Sequence, residues 1–440
     1  MEALRLGLAG LGTVGAALVR LLDQHGDDLA ARCGRPVRLV AVTARDRAKA
    51  RDIDLSGVRW VSDPETLARD PEIDVFVELI GGTGGIAERA VRAALHAGKH
   101  VVTANKAMLA ASGQDLAEIA ENRSLTLAYE AAVAGAIPIV KALRETLAGN
   151  RIDRIYGILN GTCNYILTRM EAEGLDFGTC LREAQRLGYA EADPAFDIEG
   201  YDAAHKLAIL TSIAFGTQID AEAIYVEGIK SITPADLEAA DELGYRLKLL
   251  GIASRTETGI EQRVHPAMVP KSSIIASIDG VTNAVAVESD FAGQFVLSGP
   301  GAGGAATASS VASDIADIAR GTTVPTFGRP AKSLSPHRRA AIQTHAGGYY
   351  LRLSVYDRPG AFASIATRMA EHGISLESIV QRRREPHADA PEHLRPDAPQ
   401  PVFLITYETT EEAIRAAVAQ IFRDGHIASE PQLIRIEPLG

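Results

Sequence analysis

The sequence predicts an α/β chain with an N-terminal parallel sheet, a central α+β domain and a ferredoxin-like C-terminal domain. Three observations support this prediction. Short apolar runs alternate with Ala-rich helical patterns at the start of the chain, which is typical of βαβ units. Longer helical patterns then mix with alternating strands, and the end of the chain has the order βαββαβ. These changes place the domains at residues 1–135, 136–320 and 348–440, with a linker at 321–347.

The first domain begins with a strand that leads directly into a glycine-rich turn and a helix. Its strands are expected at residues 4–9, 37–43, 73–79, 101–103 and 125–129. The turn is a GxGxxG pattern made of Gly10, Leu11, Gly12, Thr13, Val14 and Gly15. Such glycines permit a tight turn, a close approach to a pyrophosphate and helix–strand packing, while the helix N-terminus attracts phosphate. The pattern predicts a Rossmann-like dinucleotide-binding domain; a glycine-rich turn that binds nothing is the alternative.

The end of the second strand bears on the choice of cofactor. A fold selective for NAD usually places an acidic residue there to hold the ribose 2′-hydroxyl. Here Arg45 precedes Asp46. A guanidinium can bind a 2′-phosphate, so the sequence favours NADP, while Asp46 leaves NAD open. Arg45 as an ordinary solvated charge is the alternative.

The central domain combines helical stretches, alternating strands and a glycine-rich loop. Helices are expected at residues 181–187, 203–213, 235–250 and 308–320, a strand at 284–288 and the loop at 298–304. The last domain should contain strands at residues 351–355, 374–380, 402–407 and 432–436 and helices at 361–372 and 412–422. Residues 357–360 are expected to form a turn, and residues 382–400, rich in Pro, His and charge, a long loop.

Composition and charge exclude several classes of protein. Hydrophobic residues make up 46% and charged residues 23%, as in soluble globular proteins. No stretch approaches the roughly 18 apolar residues of a membrane span, and no signal peptide is recognisable. The formal net charge of −11 argues against nucleic-acid binding. Three cysteines without a CxxC pair fit a reducing compartment. We therefore expect a cytoplasmic protein with no membrane or nucleic-acid partner.

Residues 184–206 are dense in carboxylates. Asp202 and Lys206 are four residues apart on an expected helix and therefore share one face. A surface salt bridge is the ordinary outcome of this spacing. Against that interpretation, glycine and proline interrupt the segment repeatedly, which indicates a shaped loop that directs Glu191 and Asp197. The spacing alone leaves both interpretations open.

Several segments resemble the homoserine dehydrogenase family. Residues 184–206 match its signature at Ala184, Gly188, Asp193, Pro194, Asp197, Gly200, Asp202 and Lys206. Residues 160–166 resemble its substrate loop, 103–106 its lysine motif and 130–138 its monovalent-cation loop. The chain from Tyr349 resembles an ACT regulatory domain. Because no aspartokinase precedes these segments, the chain resembles the monofunctional type.

The resemblance implies a reaction and a role for each matching residue. The reaction is the NAD(P)H-dependent interconversion of L-aspartate 4-semialdehyde and L-homoserine, in threonine, methionine and isoleucine biosynthesis. Lys206 would be the general acid, assisted by Lys106 and Asp202. The implied substrate-binding residues are Glu191, Asp202, Thr162 and Asp197. The implied cofactor-binding residues are those of the glycine-rich turn with Arg45, Thr103, Lys106, Gly188 and Gly303. Backbone oxygens of Glu130, Val133, Gly135 and Ile137 would bind sodium.

The resemblance also implies partners. The central domain would bind substrate and dimerise, so a homodimer or homotetramer is expected. By analogy with other ACT domains, threonine would bind near residues 357–360 as an effector.

Two alternatives remain at this point. Cys163 could serve as the nucleophile of an aspartate-semialdehyde dehydrogenase, although a buried structural thiol is the commoner state. The chain could also be a dinucleotide-binding regulator without catalysis, although Glu191, Asp202 and Lys206 argue against it.

Overall fold

The computed structural model describes residues 2–340, 346–356, 358–381 and 399–439. The N-terminal part is a parallel sheet with helices on both faces, as predicted. Its strands are β1 Leu4–Ala9, β2 Val37–Thr43, β3 Arg59–Trp60, β4 Val75–Glu78, β5 His100–Thr103 and β6 Leu127–Ala128. Its helices are α1 Thr13–Cys33, α2 Pro64–Ala68, α3 Gly85–His96 and α4 Lys106–Glu121. In the strand order β3-β2-β1-β4-β5-β6, the strands β2 and β3 lie on one side of β1 and the strands from β4 onward lie on the other side. Open α/β sheets bind ligands at such a switch point, which here lies between β1 and β4.

The central part is built on an antiparallel sheet. Its strands are β7 Ile152–Ile158, β8 Tyr225–Val226, β9 Tyr245–Arg255, β10 Ile260–Pro270, β11 Thr282–Ser289 and β12 Gly293–Pro300. Its helices are α5 Ile139–Lys141, α6 Gly161–Glu173, α7 Phe177–Arg186, α8 Ala195–Ile198, α9 Tyr201–Phe215, α10 Pro234–Glu242 and α11 Gly304–Arg320. The order β12-β11-β7-β9-β10 places β7, which leads into α6, in the middle of this sheet.

Two sequence predictions for the central part are wrong. The helix expected at residues 235–250 ends at Glu242, and β9 begins after Gly244, whose φ of 84° closes the helix. Both faces of β9 are buried, since Leu249 and Leu250 pack into different core clusters. Such a strand has a continuous apolar run that periodicity does not distinguish from a buried helix. The loop expected from residue 298 also begins later, because β12 extends to Pro300.

Helix α11 returns from the central part to the N-terminal sheet. Its residues Val311 and Ile315 share a buried cluster with Leu18 of α1 and with Leu6 and Leu8 of β1. The apolar faces of α1 and α11 therefore cover one side of the parallel sheet together. The glycine-rich loop before α11 is thereby brought next to the turn after β1.

The C-terminal part confirms the predicted βαββαβ order. Its strands are β13 Ala346–Val355, β14 Leu376–Gln381, β15 Gln400–Thr406, β16 Thr409–Thr410 and β17 Gln432–Ile436. Its helices are α12 Ala361–Glu371 and α13 Glu411–Arg423. Of the predicted turn at 357–360, Asp357 lies outside the described residues, as do residues 382–398 of the predicted long loop. Strand β17 pairs in parallel with β10, so one continuous sheet joins the central and C-terminal parts.

The segment predicted as a linker is packed over its described residues. The Tyr129 hydroxyl donates to the carbonyl oxygen of Thr326 at 2.8 Å, and Phe327 is buried. The backbone N–H of Ala331 donates to Glu121 at 2.8 Å. The segment around residues 326–331 is therefore held against the N-terminal part, whereas Ser335 and Arg339 form β-bridges with Thr217 and Ile260 of the central part. None of the helices in the described ranges has the length and apolar character that crossing a bilayer requires.

Candidate functional site

The turn after β1 has the geometry of a phosphate-binding turn. Gly10 has a φ of 104°, and a Cβ built there would lie 2.3 Å from the carbonyl oxygen of Leu79. A Cβ at Gly15 would lie 2.1 Å from the carbonyl oxygen of Gly10, so only glycine allows α1 to pack so closely. A Cβ at Gly12 would meet nothing within 4 Å, which leaves its backbone open to a ligand. Thr13 then begins α1 and aims the helix N-terminus at the same space.

A cavity of about 530 Å³ adjoins this turn at the end of β2. Arg45, Lys49 and Arg51 line it together with Gly10, Leu11 and Gly12. Within the described residues none of these three basic side chains forms an ion pair. Arg51 instead donates to the carbonyl oxygens of Leu11 at 2.8 Å and Asp46 at 2.7 Å, which ties the loop after β2 to the glycine-rich turn. Asp46 and Asp63 also line the cavity, so three basic and two acidic side chains surround it, and the basic ones could bind a phosphate group.

Lys106 is positioned by the loop between β5 and α4. Asn105 caps α4 by accepting the N–H of Met108 at 3.1 Å, and its amide donates to Gly82 at 2.8 Å. The Thr103 hydroxyl donates to the buried carboxylate of Glu78 at 2.5 Å. These bonds fix the start of α4, and with it the first helical residue, Lys106.

A buried carboxylate joins two lysines at the centre of the candidate site. The Lys206 ammonium lies 2.8 Å from one oxygen of Asp202, and the Lys106 ammonium lies 3.1 Å from the other. Lys206 also donates to the carbonyl oxygen of Leu159 at 2.7 Å. Asp202 and Lys206 lie on α9, as the four-residue spacing predicts, but both are buried. The surface salt bridge considered from the sequence is therefore wrong for this pair.

Asn160 organises the carboxylates of the site. Its amide nitrogen lies 2.9 Å from Asp197 and 2.9 Å from Asp202, and its oxygen accepts the N–H of Cys163 at 2.8 Å. It thereby caps α6 and orients both acids. The sequence analysis placed Asn160 in the segment that resembles the substrate loop but gave it no individual role. No helix was predicted at residues 161–173, so the preference of Asn for the N-cap position gave no signal until α6 was seen.

The two acids experience different surroundings. Burial raises the pKa of Asp202, but the nearby ammonium groups of Lys206 and Lys106 outweigh it and hold that pKa well below its usual range. Burial, followed by the negative charge of Asp202, raises the pKa of Asp197. Asp202 is therefore ionised at neutral pH and keeps both lysines in place.

These residues border a second cavity, of about 630 Å³, between the parallel and antiparallel sheets. The predicted site residues that line it are Val14, Lys106, Val133, Gly135, Thr162, Gly188, Glu191, Asp197, Asp202, Lys206 and Gly303. The Thr162 hydroxyl donates to the carbonyl oxygen of Tyr189 at 2.8 Å. Glu191 is exposed and has no ion-pair partner within the described part of the chain. Thr103, Glu130 and Ile137 are buried beside this cavity rather than lining it.

The predicted cation loop lies next to a buried acidic pair. The backbone N–H of Glu130 donates to Asp314 at 2.9 Å, and Lys141 approaches Asp314 at 3.4 Å. Burial and, to a smaller extent, the charge of Asp314 raise the pKa of Glu130 to about 7. Burial also raises the pKa of Asp314 to about 6. The carbonyl oxygen of Gly135 accepts the Ser310 hydroxyl at 2.7 Å and keeps a second lone pair. Negative charge and carbonyl oxygens thus fit a hard monovalent cation.

Cys163 is a buried structural thiol. Its side chain has 0% exposure, and its Sγ lies 3.3 Å from the carbonyl oxygen of Asp197. Burial raises the pKa of this thiol well above its ordinary value. A catalytic cysteine needs an accessible thiolate with a lowered pKa, so Cys163 does not have the properties of a nucleophile.

Known protein families match most of the chain. A family model described as homoserine dehydrogenase matches residues 138–316. A model described as the NAD binding domain of homoserine dehydrogenase matches residues 10–130. A model of the ACT domain matches residues 349–400.

Individual relatives match along the full chain. The homoserine dehydrogenase of Pseudomonas aeruginosa is 42% identical over an alignment of 445 residues, which covers 100% of this chain and 100% of that protein. The crystal structure of a homoserine dehydrogenase from Thiobacillus denitrificans has a TM-score of 0.92 and 42% identity, over 100% of this chain and 99% of that chain. A hyperthermophilic archaeal homoserine dehydrogenase in complex with NADPH has a TM-score of 0.60 and 27% identity, over 72% of this chain and 97% of that chain.

Proposed function

We propose that Lys206 is the proton donor of this chain, which belongs to the homoserine dehydrogenase family. Enzymes of this family are NAD(P)-dependent oxidoreductases that act on a CH–OH group. The reaction is the interconversion of L-aspartate 4-semialdehyde and L-homoserine. The observation that carries the proposal is the contact of one buried carboxylate, Asp202, with two lysines at the wall of a cavity between the sheets.

The side chains of the cavity account for the proton and the charge. The glycine-rich turn from Gly10 to Gly15 would hold NAD(P)H, which would supply the hydride for the aldehyde carbon. Negative charge then grows on the aldehyde oxygen, where the Lys206 ammonium stabilises it and donates a proton. Asp202 holds Lys106 and Lys206 by different oxygens, so both ammonium groups remain at the cavity. In the reverse direction, Lys206 takes the proton of the homoserine hydroxyl. Glu191 and Asp202 hold the substrate ammonium group, with Thr162 and Asp197 as further contacts.

A spectrophotometric assay of homoserine-dependent NADP reduction tests this function. Turnover with homoserine and NADP supports the proposal. Binding of cofactor without turnover would instead favour a dinucleotide-binding regulator. The intact set of Glu191, Asp202 and Lys206 argues against that second candidate.

We also propose that NADP is the preferred cofactor. The support is the cavity at the end of β2, in which Arg45 is joined by Lys49 and Arg51. The remaining cofactor contacts would come from the glycine-rich turn, Thr103, Lys106, Gly188 and Gly303.

Replacement of Arg45 by alanine should weaken the binding of NADP but not the binding of NAD. In the variant, the 2′-phosphate of NADP would lose one charge-assisted hydrogen bond from the exposed guanidinium. The KM for NADP should therefore rise about tenfold, with the KM for NAD unchanged. Initial rates with each cofactor measure this ratio. Arg47→Ala is the matched control, since Arg47 stacks on Trp60 and does not line the cavity. Equal losses for NADP and NAD would contradict the assignment.

Sodium is the proposed monovalent cation. Backbone oxygens of Glu130, Val133, Gly135 and Ile137 would bind it, supported by the buried negative charge of Glu130 and Asp314. The cation would stabilise the loop of residues 130–138, which borders the cofactor side of the cavity of about 630 Å³ between the two sheets.

The C-terminal unit is proposed to bind threonine as an effector near residues 357–360, where Gly360 precedes α12. The continuous sheet from β17 to β10 supports a connection to the central part. Threonine added to the assay tests this proposal.

We propose domain boundaries at residues 1–135, 136–320 and 348–440, with 321–347 between them. A homodimer or homotetramer, a cytoplasmic location suited to three free cysteines, and a place in threonine, methionine and isoleucine biosynthesis complete the proposal.

A further inference from the structure

At the cavity of about 630 Å³, one buried side-chain amide has an oxygen without a hydrogen-bond partner in the part of the chain that the structure describes. Asn283 is the second residue of β11, is 1% exposed and lines the cavity that contains Lys206 and Glu191. Its amide oxygen finds no partner among the described residues. Buried side-chain amides are nearly always hydrogen-bonded in folded proteins. The missing partner of Asn283 therefore points to a ligand.

Two glycines make room for this amide. A Cβ built at Gly301 would lie 2.1 Å from the amide nitrogen of Asn283, and a Cβ at Gly161 would lie 3.3 Å from its oxygen. The amide is thus lodged between the glycine-rich loop before α11 and the start of α6. Any larger residue at position 301 would displace it.

The start of α6 is suited to a carboxylate. Gly161 and Thr162 are its first residues, and such N–H groups have no acceptor within a helix. The Asn160 side chain takes the N–H of Cys163, which leaves the two earlier N–H groups for a ligand. The helix dipole also favours negative charge there. Both lysines of the cavity are engaged by Asp202, so a carboxylate would depend on neutral donors such as Asn283.

An α-amino-acid head group matches these donors and acceptors. We infer that Asn283 binds this head group of the substrate. Its amide nitrogen donates to the α-carboxylate together with the N–H groups at the start of α6, and its oxygen accepts from the α-ammonium. The inference rests on the proposed function and adds a residue that distinguishes an amino acid from a simple alcohol or aldehyde.

Asn283→Asp tests the inference with little change of shape. The variant keeps an acceptor for the ammonium group but replaces the donor with a negative charge that repels the carboxylate. The KM for homoserine should rise at least about tenfold, because a hydrogen bond to a charged group is lost. The kcat and the Kd for NADPH should change little. Asn122→Asp is the matched control, since Asn122 is exposed, bonds to Lys332 and lies outside the cavity.

Two homoserine fragments show which group Asn283 recognises. 4-Hydroxybutanoate retains the carboxylate, and 3-aminopropan-1-ol retains the ammonium. As competitive inhibitors, the first should bind Asn283→Asp at least about tenfold more weakly than the unchanged protein, and the second equally well or better. Unchanged inhibition by both fragments would overturn the inference, as would a weakened Kd for NADPH with an unchanged KM for homoserine.

Calorimetric binding of homoserine to the NADPH-bound protein requires no turnover, and it separates this inference from the proposed function. Weaker binding to Asn283→Asp than to the unchanged protein would support the amide contact even if the unchanged protein were inactive. The thermal midpoint of each variant, compared with Asn122→Asp, reports whether the fold is retained. Asn283→Ala provides a second variant, which should also raise the KM for homoserine.

Discussion

Lys206→Ala is expected to lower kcat about 100-fold or more while the Kd for NADPH is retained. General acid catalysis contributes about 10²- to 10⁴-fold, and the variant loses the ammonium that lies 2.7 Å from the carbonyl oxygen of Leu159. Lys106 remains at 3.1 Å from Asp202, so the buried carboxylate keeps one counter-charge and the fold should survive. Steady-state rates at saturating homoserine and NADP, with cofactor titration by fluorescence, measure both quantities.

Lys230→Ala is a suitable control for the lysine substitution. Lys230 also pairs with a carboxylate, at 2.6 Å from Glu199, but its side chain is 52% exposed and lies outside the cavity. Its removal should leave kcat unchanged. If Lys206→Ala turned over at a near-normal rate, the proton would have to come from another group and the assignment would fail. A lost affinity for NADPH would instead indicate a cofactor-binding role.

Local sequence patterns predicted the elements that are locally determined. The strands expected at residues 4–9, 37–43 and 432–436 have those bounds in the structure, because turns and helices delimit them. Asp202 and Lys206 were predicted to meet because a helix brings residues four apart onto one face. β9 was missed because burial on both of its faces removes the alternation that identifies a strand.

The rest of the site depends on contacts between distant segments. Lys106 follows β5 and Asp202 lies on α9, and only the packing of the two sheets brings them together. Asn160 and Asn283 carry no charge, and Asn283 belongs to none of the segments that the sequence analysis singled out. Asn283 becomes notable only once its amide is seen to be buried beside Gly301, with an oxygen that none of the described residues binds. Asn160 is identified from its hydrogen bonds to Asp197 and Asp202 and Asn283 from its unsatisfied oxygen, and both observations require coordinates.

The junction between β17 and β10 contains a buried ion cluster. Glu437 follows β17, and its carboxylate accepts from Arg263 and from Arg154, each at 2.8 Å. Its side chain is 1% exposed, and that of Arg263 is 2% exposed. Burial raises the pKa of Glu437, but Arg263, His265 and Arg154 outweigh this and hold it well below its ordinary range. The carboxylate is therefore the shared counter-charge of two arginines on different strands.

Glu437→Gln should destabilise the protein by about 3 kcal/mol. Breaking a buried ion pair costs about 3–5 kcal/mol because the partner charge stays buried, and the lower end applies since Glu261 also contacts Arg263. The thermal midpoint should fall by about 3 °C, because the unfolding entropy of a 440-residue chain is about 0.9 kcal/mol per kelvin. A carboxyl with a lowered pKa stabilises above its unfolded pKa and loses this effect only as the pH falls through the folded value. The difference between variant and unchanged protein should therefore stay constant through the neutral range.

Glu199→Gln is the matched control for the junction. Its carboxylate pairs with Lys230 at the surface, where such a pair contributes about 0–1 kcal/mol. The comparison isolates burial, since both variants lose one carboxylate from an ion pair and keep an amide of the same size. If Glu437→Gln lowered the midpoint no further than Glu199→Gln, the cluster would not stabilise the join between the two sheets. A difference that disappeared at pH about 7 and returned at higher pH would contradict the pKa direction assigned to Glu437.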